Sequence, residues 1–234
     1  MIRYEDDSRF SQAVDCIVFG FDGETLKILL IQRGFEPEQG KWSLMGGFVK
    51  SNESLDQASN RILKQLTGLD GMYLEQLHTF GELERDPAER TMSTAYFALI
   101  DIHKYEKQIS ADYHAEWFSL KRMPKLIFDH QEMVDMAQKR IRYKAALHPI
   151  LFELLPSRFT IPQLQLLYES VYNTSIDKRN FSKRVLATGL LVKQTEKDKS
   201  GSKRGAYYYH LNMQKYYDKF QSFLNFIPNP SNLL

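Results

Sequence analysis

Residues 47–69 constrain this chain more than any other stretch. Gly47, Glu53, Arg61, Leu63, Gly68 and Leu69 stand at the spacing G-x5-E-x7-R-x-U-x4-G-U, where U is a bulky aliphatic residue. Leu55, Ala58, Ile62 and Leu66 recur at near-helical spacing within it, which predicts an amphipathic helix over 53–66. Ser51 or Asn52 suits the start of that helix and Gly68 its end.

The spacing resembles the Nudix box, G-x5-E-x7-R-E-U-x-E-E-x-G-U. The preceding residues 41–49, KWSLMGGFV, resemble the same family. In Nudix hydrolases the box is a loop–helix–loop whose glutamates hold divalent metal ions beside a pyrophosphate. The metals neutralise phosphate charge and activate the attacking water. Here the three later glutamates are replaced by Ile62, Gln65 and Leu66. Met45 stands where the family commonly has proline, and Lys50 where it has an acid. Magnesium prefers charged oxygen ligands. Ile62 and Leu66 offer none, and Gln65 offers a neutral carbonyl. The resemblance therefore implies a Nudix fold without hydrolysis, with no metal and no cofactor, and with Glu53 and Arg61 as remnants of the box. Glu82, Glu84, Asp86 and Glu89 are the nearby acids that could rescue a metal site.

Composition sets the broad class. A chain of 234 residues with 43% apolar content can build one large domain or two modest ones. The opening MIRYEDDSRF is charged and has no apolar core of its own, so no signal peptide is expected there. No apolar run reaches membrane-spanning length. Cys16 is the single cysteine, so an internal disulfide is excluded, and its strand-like surroundings favour a buried structural thiol. The histidines are scattered, with no His/Cys pair at zinc spacing. These features lead to the expectation of a cytoplasmic protein. The net charge of +2 hides an asymmetry: residues 1–145 hold 19 Lys/Arg and 23 Asp/Glu, and residues 146–234 hold 12 and 6. Residues 177–204 alone carry nine basic and three acidic side chains. Such a distribution predicts an acidic or neutral body joined to an anion-binding module.

Strands are predicted at 13–21 and 26–33 around an Asp22-Gly23 turn, then at 73–81, 92–102 and 114–120. A helix over 129–146 closes this α/β part. His148-Pro149 is the expected boundary, because the residue before proline is pushed out of helical geometry. This gives domains at 1–147 and 148–234. Beyond it, helices are predicted at 150–155, 161–172 (capped by Thr160) and 177–188 (capped by Asp177). Strand-like runs at 190–195 and 206–211 flank a polar loop, and a last helix spans about 213–226. One of Tyr207, Tyr208 and Tyr209 at least is buried by strand alternation. Helix, helix, helix, hairpin is the order of a winged helix.

Residues 159–169, FTIPQLQLLYE, and 177–184, DKRNFSKR, closely resemble the C-terminal domain of Nudix-related transcriptional regulators. Those proteins pair a Nudix-like sensor with a winged-helix DNA reader. The fold implied is α+β, a Nudix-like α/β/α sandwich followed by a winged helix. On that reading 177–188 is the recognition helix, and its N-terminal part enters the major groove. Lys178, Arg179, Asn180, Ser182, Lys183 and Arg184 lie off its apolar face. Arg179 and Asn180 are the candidates for base edges, Lys178 and Lys183 for phosphates. Lys197, Lys199, Lys203 and Arg204 suit a wing along the backbone. The expected partner is double-stranded DNA with a palindromic operator, read by a homodimer.

Regulators of this family form two branches, one bound by a sugar and one by ADP-ribose. The damaged box lacks the charge a pyrophosphate would need, which leads to the expectation of a pentose, L-arabinose first, with sugar catabolism genes as targets. ADP-ribose is the alternative, and an active hydrolase with an accessory DNA-binding domain a further one. Trp42 and Phe48 are candidates for apolar effector contacts, and Arg33, Glu82, Arg85 and Tyr96 for polar ones. The helix over 129–146 and the His148-Pro149 junction are the expected coupling elements.

Overall fold

The computed structural model describes residues 9–109, 114–200 and 204–216. The chain divides into two compact units between Leu154 and Leu155. This lies beyond the expected His148-Pro149 boundary. The short helix predicted at 150–155 forms as a 3-10 turn, Ile150–Leu154, and Leu151 and Leu154 are fully buried against the first unit's sheet.

The first unit is a mixed sheet built around β1 (Ser11–Phe21), whose side chains from Val14 to Phe19 are buried. A hairpin leads to β2 (Leu26–Gln32), and Asp22 pins its turn by accepting the Thr25 and Glu24 amides at 2.7 and 3.0 Å. Two short strands that the sequence did not announce follow, β3 (Trp42–Ser43) and β4 (Met45–Phe48). β4 pairs with the first half of β1, from Ala13↔Phe48 to Cys16↔Met45, and β2 pairs with the second half. The other edge of β1 takes β6 (Thr91–Asp101) in parallel. β5 (Glu75–Phe80) completes that edge and β7 (Glu116–Ser119) pairs with β2.

Strand alternation then sorts β1 onto two faces. Val14, Cys16 and Val18 pack with Ala58, Ile62 and Leu63 of helix α1 (Leu55–Thr67). Asp15 faces the opposite way, toward helix α3 (His130–Leu147), beyond the short α2 (Ile102–Tyr105). This is the expected α/β/α layering. The cap of α1 is Ser54 rather than Ser51 or Asn52. Ser54 has Gln57 three residues on, and the two exchange hydrogen bonds in a capping box. Glu53, just before it, is drawn back to the Lys50 amide at 2.8 Å. Gly68 ends the helix with φ of 79°, a conformation glycine adopts without strain.

The second unit orders β8 (Phe159–Thr160), α4 (Ile161–Tyr172), α5 (Lys178–Ala187), β9 (Leu191–Asp198) and β10 (Ala206–Leu211), with an antiparallel sheet in the order β8-β10-β9. Thr160 caps α4 in a capping box with Gln163, and Pro162 sits in its first turn. Phe159, Leu164, Leu167, Val171, Phe181 and Tyr209 form the core. The predicted polar loop is shorter than expected, because β9 runs through Asp198. Tyr209 is the buried tyrosine of the three, while Tyr207 is exposed. The helix predicted from 213 begins at Met213, and its residues beyond 216 lie outside the described ones. Among the described residues no helix is long and apolar enough to cross a membrane.

Candidate effector and nucleic-acid sites

The remnants of the box hold each other. Arg61 donates from Nε to Glu53 Oε2 at 2.8 Å and from Nη2 to Glu53 Oε1 and to the Phe48 carbonyl at 3.0 Å. The guanidinium brings the Glu53 carboxyl down to about 2. Both charges are thereby committed to closing the loop ahead of α1. Ile62 is 3% exposed and lies under Gly47, where a Cβ would approach its Cδ1 to 2.9 Å. Leu66 packs half-buried against both apolar clusters of α1, and Gln65 is exposed. The positions that would carry metal ligands thus carry core, or a neutral amide. Among the described residues no three His, Cys, Asp or Glu side chains gather around a point where an ion could sit.

A second polar cluster lies on the other face of the sheet. Asp15 Oδ2 accepts from Ser93 Oγ at 2.6 Å, and Asp15 Oδ1 is 3.5 Å from His130 Nε2. His130 Nδ1 accepts the Leu44 amide at 3.1 Å, which fixes the proton on Nε2. Burial pushes the imidazole below its ordinary range, so it is neutral near pH 7. Arg85 donates two bonds of 2.8 Å to Asp129 and lies 3.8 Å from Asp15. Gly46 is required beside it, since a Cβ there would run into the Asp15 carboxylate. At the rim stands Arg33, its guanidinium 4.1 Å from the Phe35 ring centre and 5.3 Å from that of Phe128. Phe128 has φ of 47°, a strained backbone for an aromatic residue.

The structure separates the predicted effector residues. Arg33 is partly exposed at this rim. Arg85 is buried, and its charge is spent on Asp129. Tyr96 is 1% exposed in the core under α1, where its hydroxyl donates to Asp56 at 2.6 Å, so it offers no free face. Trp42 packs edge-on to Phe118 at 4.6 Å. Phe48 and Glu82 are exposed, Phe48 at the start of the box. Sequence reasoning missed Asp15, Phe35, Phe128, Asp129 and His130. The one available signal was Asp15, a lone acid inside an apolar strand.

In the second unit, Lys178, Arg179, Asn180, Lys183 and Arg184 of α5 are exposed and Ser182 is half-buried. Asp177 accepts the Asn180 amide at 2.8 Å, which makes it a cap. Glu169 on α4 accepts the Ile176 amide at 2.8 Å, and Gln165 donates to the Ile176 carbonyl at 2.9 Å. These two side chains fix the turn from which α5 starts. On the β9–β10 hairpin Lys197 and Lys199 are exposed, as is Arg204, and Lys203 lies outside the described residues. Lys193 and Lys197 stand 3.6 and 4.4 Å over the Tyr207 ring. Both α5 and the β9–β10 hairpin thus present exposed cations.

Comparison with known proteins agrees with this division. Residues 9–137 match the NUDIX domain and residues 151–211 the NrtR DNA-binding winged helix domain. The chain is 35% identical over 217 residues to the ADPR responsive transcriptional repressor NtrR of Acinetobacter baylyi, covering 91% of this chain and 86% of that one. The crystal structure of Shewanella oneidensis NrtR complexed with a 27mer DNA is similar with a TM-score of 0.71 and 32% identity, covering 87% of this chain and 94% of that one. The NUDIX domain of the same protein complexed with ADP ribose gives 0.51 and 31%, over 60% of this chain and 94% of that one. The pentose expectation finds no support among these relatives, two of which are named for ADP-ribose. This chain belongs to the family of Nudix-domain proteins that carry an NrtR DNA-binding winged helix.

Proposed function

We propose that the protein is a transcriptional repressor of NAD-linked genes that binds operator DNA through α5 and the β9–β10 hairpin and responds to ADP-ribose in its Nudix unit. The observation that carries this reading is the likeness to the ADP-ribose-responsive repressor across both units. Lys178, Arg179, Asn180, Ser182, Lys183, Lys197, Lys199, Lys203 and Arg204 are the DNA-contacting residues on this reading. A homodimer would read a palindromic operator with half-sites about 34 Å apart. ADP-ribose changes operator affinity only by binding the two conformations of the repressor unequally. The Nudix unit acts here as a receptor and not as a hydrolase, since Ile62, Gln65 and Leu66 cannot supply the acids of the box.

The test is titration of a protein–operator complex, followed by fluorescence anisotropy. ADP-ribose should release the DNA and L-arabinose should not. Release by arabinose alone, or steady magnesium-dependent consumption of ADP-ribose, would overturn the reading.

A further inference from the structure

An ADP-ribose-type effector brings an anionic diphosphate, and the box has nothing to neutralise it. Ile62 is packed among Val14, Ala58 and Tyr96, Leu66 lies against the same cluster, and Gln65 is uncharged. Glu53 is bound by Arg61. This donor set does not fit a divalent ion.

Arg33 provides charge from another direction. Its Nε donates to the Phe35 carbonyl at 3.2 Å, and its terminal nitrogens make no hydrogen bond among the described residues. No described carboxylate lies within ion-pair distance of it. The acids whose charge reaches it, Asp86, Asp15, Glu36 and Glu38, make no direct pair with it, and Asp15 is held by Ser93 and His130 and Glu38 by Lys41. Phe35 and Phe128 hold the guanidinium over their rings, and Phe128 keeps its strained backbone next to the clamped Asp129. The result is a cation partly removed from water, positioned by aromatic rings, with no described carboxylate in direct contact. A guanidinium offers a planar fork of donors that matches phosphate oxygens, and its charge-assisted bonds are strong where water is limited.

We propose that Arg33, held between Phe35 and Phe128, binds the diphosphate of the effector directly, with no divalent metal between them. The proposal rests on the ADP-ribose reading above. It makes effector binding independent of magnesium and places the recognition of charge outside the box.

The experiment is calorimetric titration of the full-length protein with ADP-ribose, in EDTA and in magnesium, for the natural chain, Arg33→Ala, Arg33→Lys and Phe35→Ala. Thermal unfolding of each variant checks that it is folded. The natural chain should bind equally well in EDTA and magnesium. Arg33→Ala should weaken binding about tenfold or more, the loss of one charge-assisted contact. Arg33→Lys should recover part of that loss, and Phe35→Ala should cost severalfold because the guanidinium loses one of its supports. An affinity that needs magnesium, or one that survives both Arg33→Ala and Phe35→Ala, would sink this proposal and leave the effector reading standing. Absence of binding by the natural chain in both buffers would overturn the effector reading itself and this proposal with it.

Discussion

Arg61 grips Glu53 with two nitrogens while also donating to the Phe48 carbonyl, so the two charges that keep the spacing of the box act as a clasp on the loop that precedes α1. The clasp gives these residues a structural role that survives the loss of the metal ligands. It also makes a pH-dependent contribution. The Glu53 carboxyl is held at about 2 in the folded protein, against about 4.3 for an unperturbed glutamate. A depressed carboxylate stabilises above its unfolded value and loses that stabilisation as pH falls toward its folded one. Glu53→Gln should therefore lower the melting temperature from pH 7 down to about pH 5. The gap to the natural chain should close between about pH 5 and pH 2. A gap that stays constant across that range would show that the clasp carries no charge-dependent energy.

The Arg85–Asp129 pair is of a different kind. Arg85 has a side chain only 3% exposed, and beyond Asp129 its nearest acid is Asp15 at 3.8 Å. Removing one partner of a buried pair leaves the other charge uncompensated, at a cost of about 3–5 kcal/mol. Asp129→Ala should lower the stability of the first unit by about that amount in urea unfolding. Lys64→Ala, which breaks the exposed pair with Asp70, should change it by less than about 1 kcal/mol. Equal effects from the two variants would contradict the burial argument.

Glu169 and Gln165 bracket Ile176, and this contact sets where α5 begins. A recognition helix must hold its side chains in register with base edges, so a looser start should be felt in DNA affinity. Glu169→Ala is expected to weaken operator binding severalfold while leaving the circular dichroism spectrum unchanged. Its effect should be larger at a specific operator than on random duplex. Unchanged specific affinity would place the control of α5 elsewhere.

Sequence patterns read best where periodicity and local chemistry coincide. α1, α3, α4 and α5 carry clear apolar repeats and end in Gly68 or start at Thr160 and Asp177, so their positions were readable within a few residues. β3 and β4 were not, because two- and four-residue strands have too short a repeat to stand out. His148-Pro149 ends the helix as the sequence suggests, while the compact units part a few residues later because Leu151 and Leu154 pack into the first core. The polar cluster around Asp15 was the least legible. Asp15, Arg33, Phe35, Arg85, Phe128 and His130 come from β1, the segment between β2 and β3, the loop between β5 and β6 and the start of α3, and only tertiary packing brings them together. Tyr96 shows the reverse: a polar aromatic suited to a pocket by type, yet fixed in the core by its bond to Asp56.

The exposed face of α5 can be divided by the way its variants respond to salt and to sequence. Arg179 lies in the first turn, where a recognition helix enters the major groove, and a guanidinium there can pair with both guanine acceptors. Arg179→Ala should cost roughly 1–3 kcal/mol at the operator and much less on unrelated duplex. Lys183 lies one turn further along and is assigned to phosphate. Lys183→Ala should weaken specific and random DNA about equally and reduce the slope of log affinity against log salt by about 1. Gel shifts at several salt concentrations separate the two outcomes. If Arg179→Ala lowered binding to all duplexes equally, its guanidinium would be a backbone contact, and base reading would have to come from Asn180 or from DNA shape.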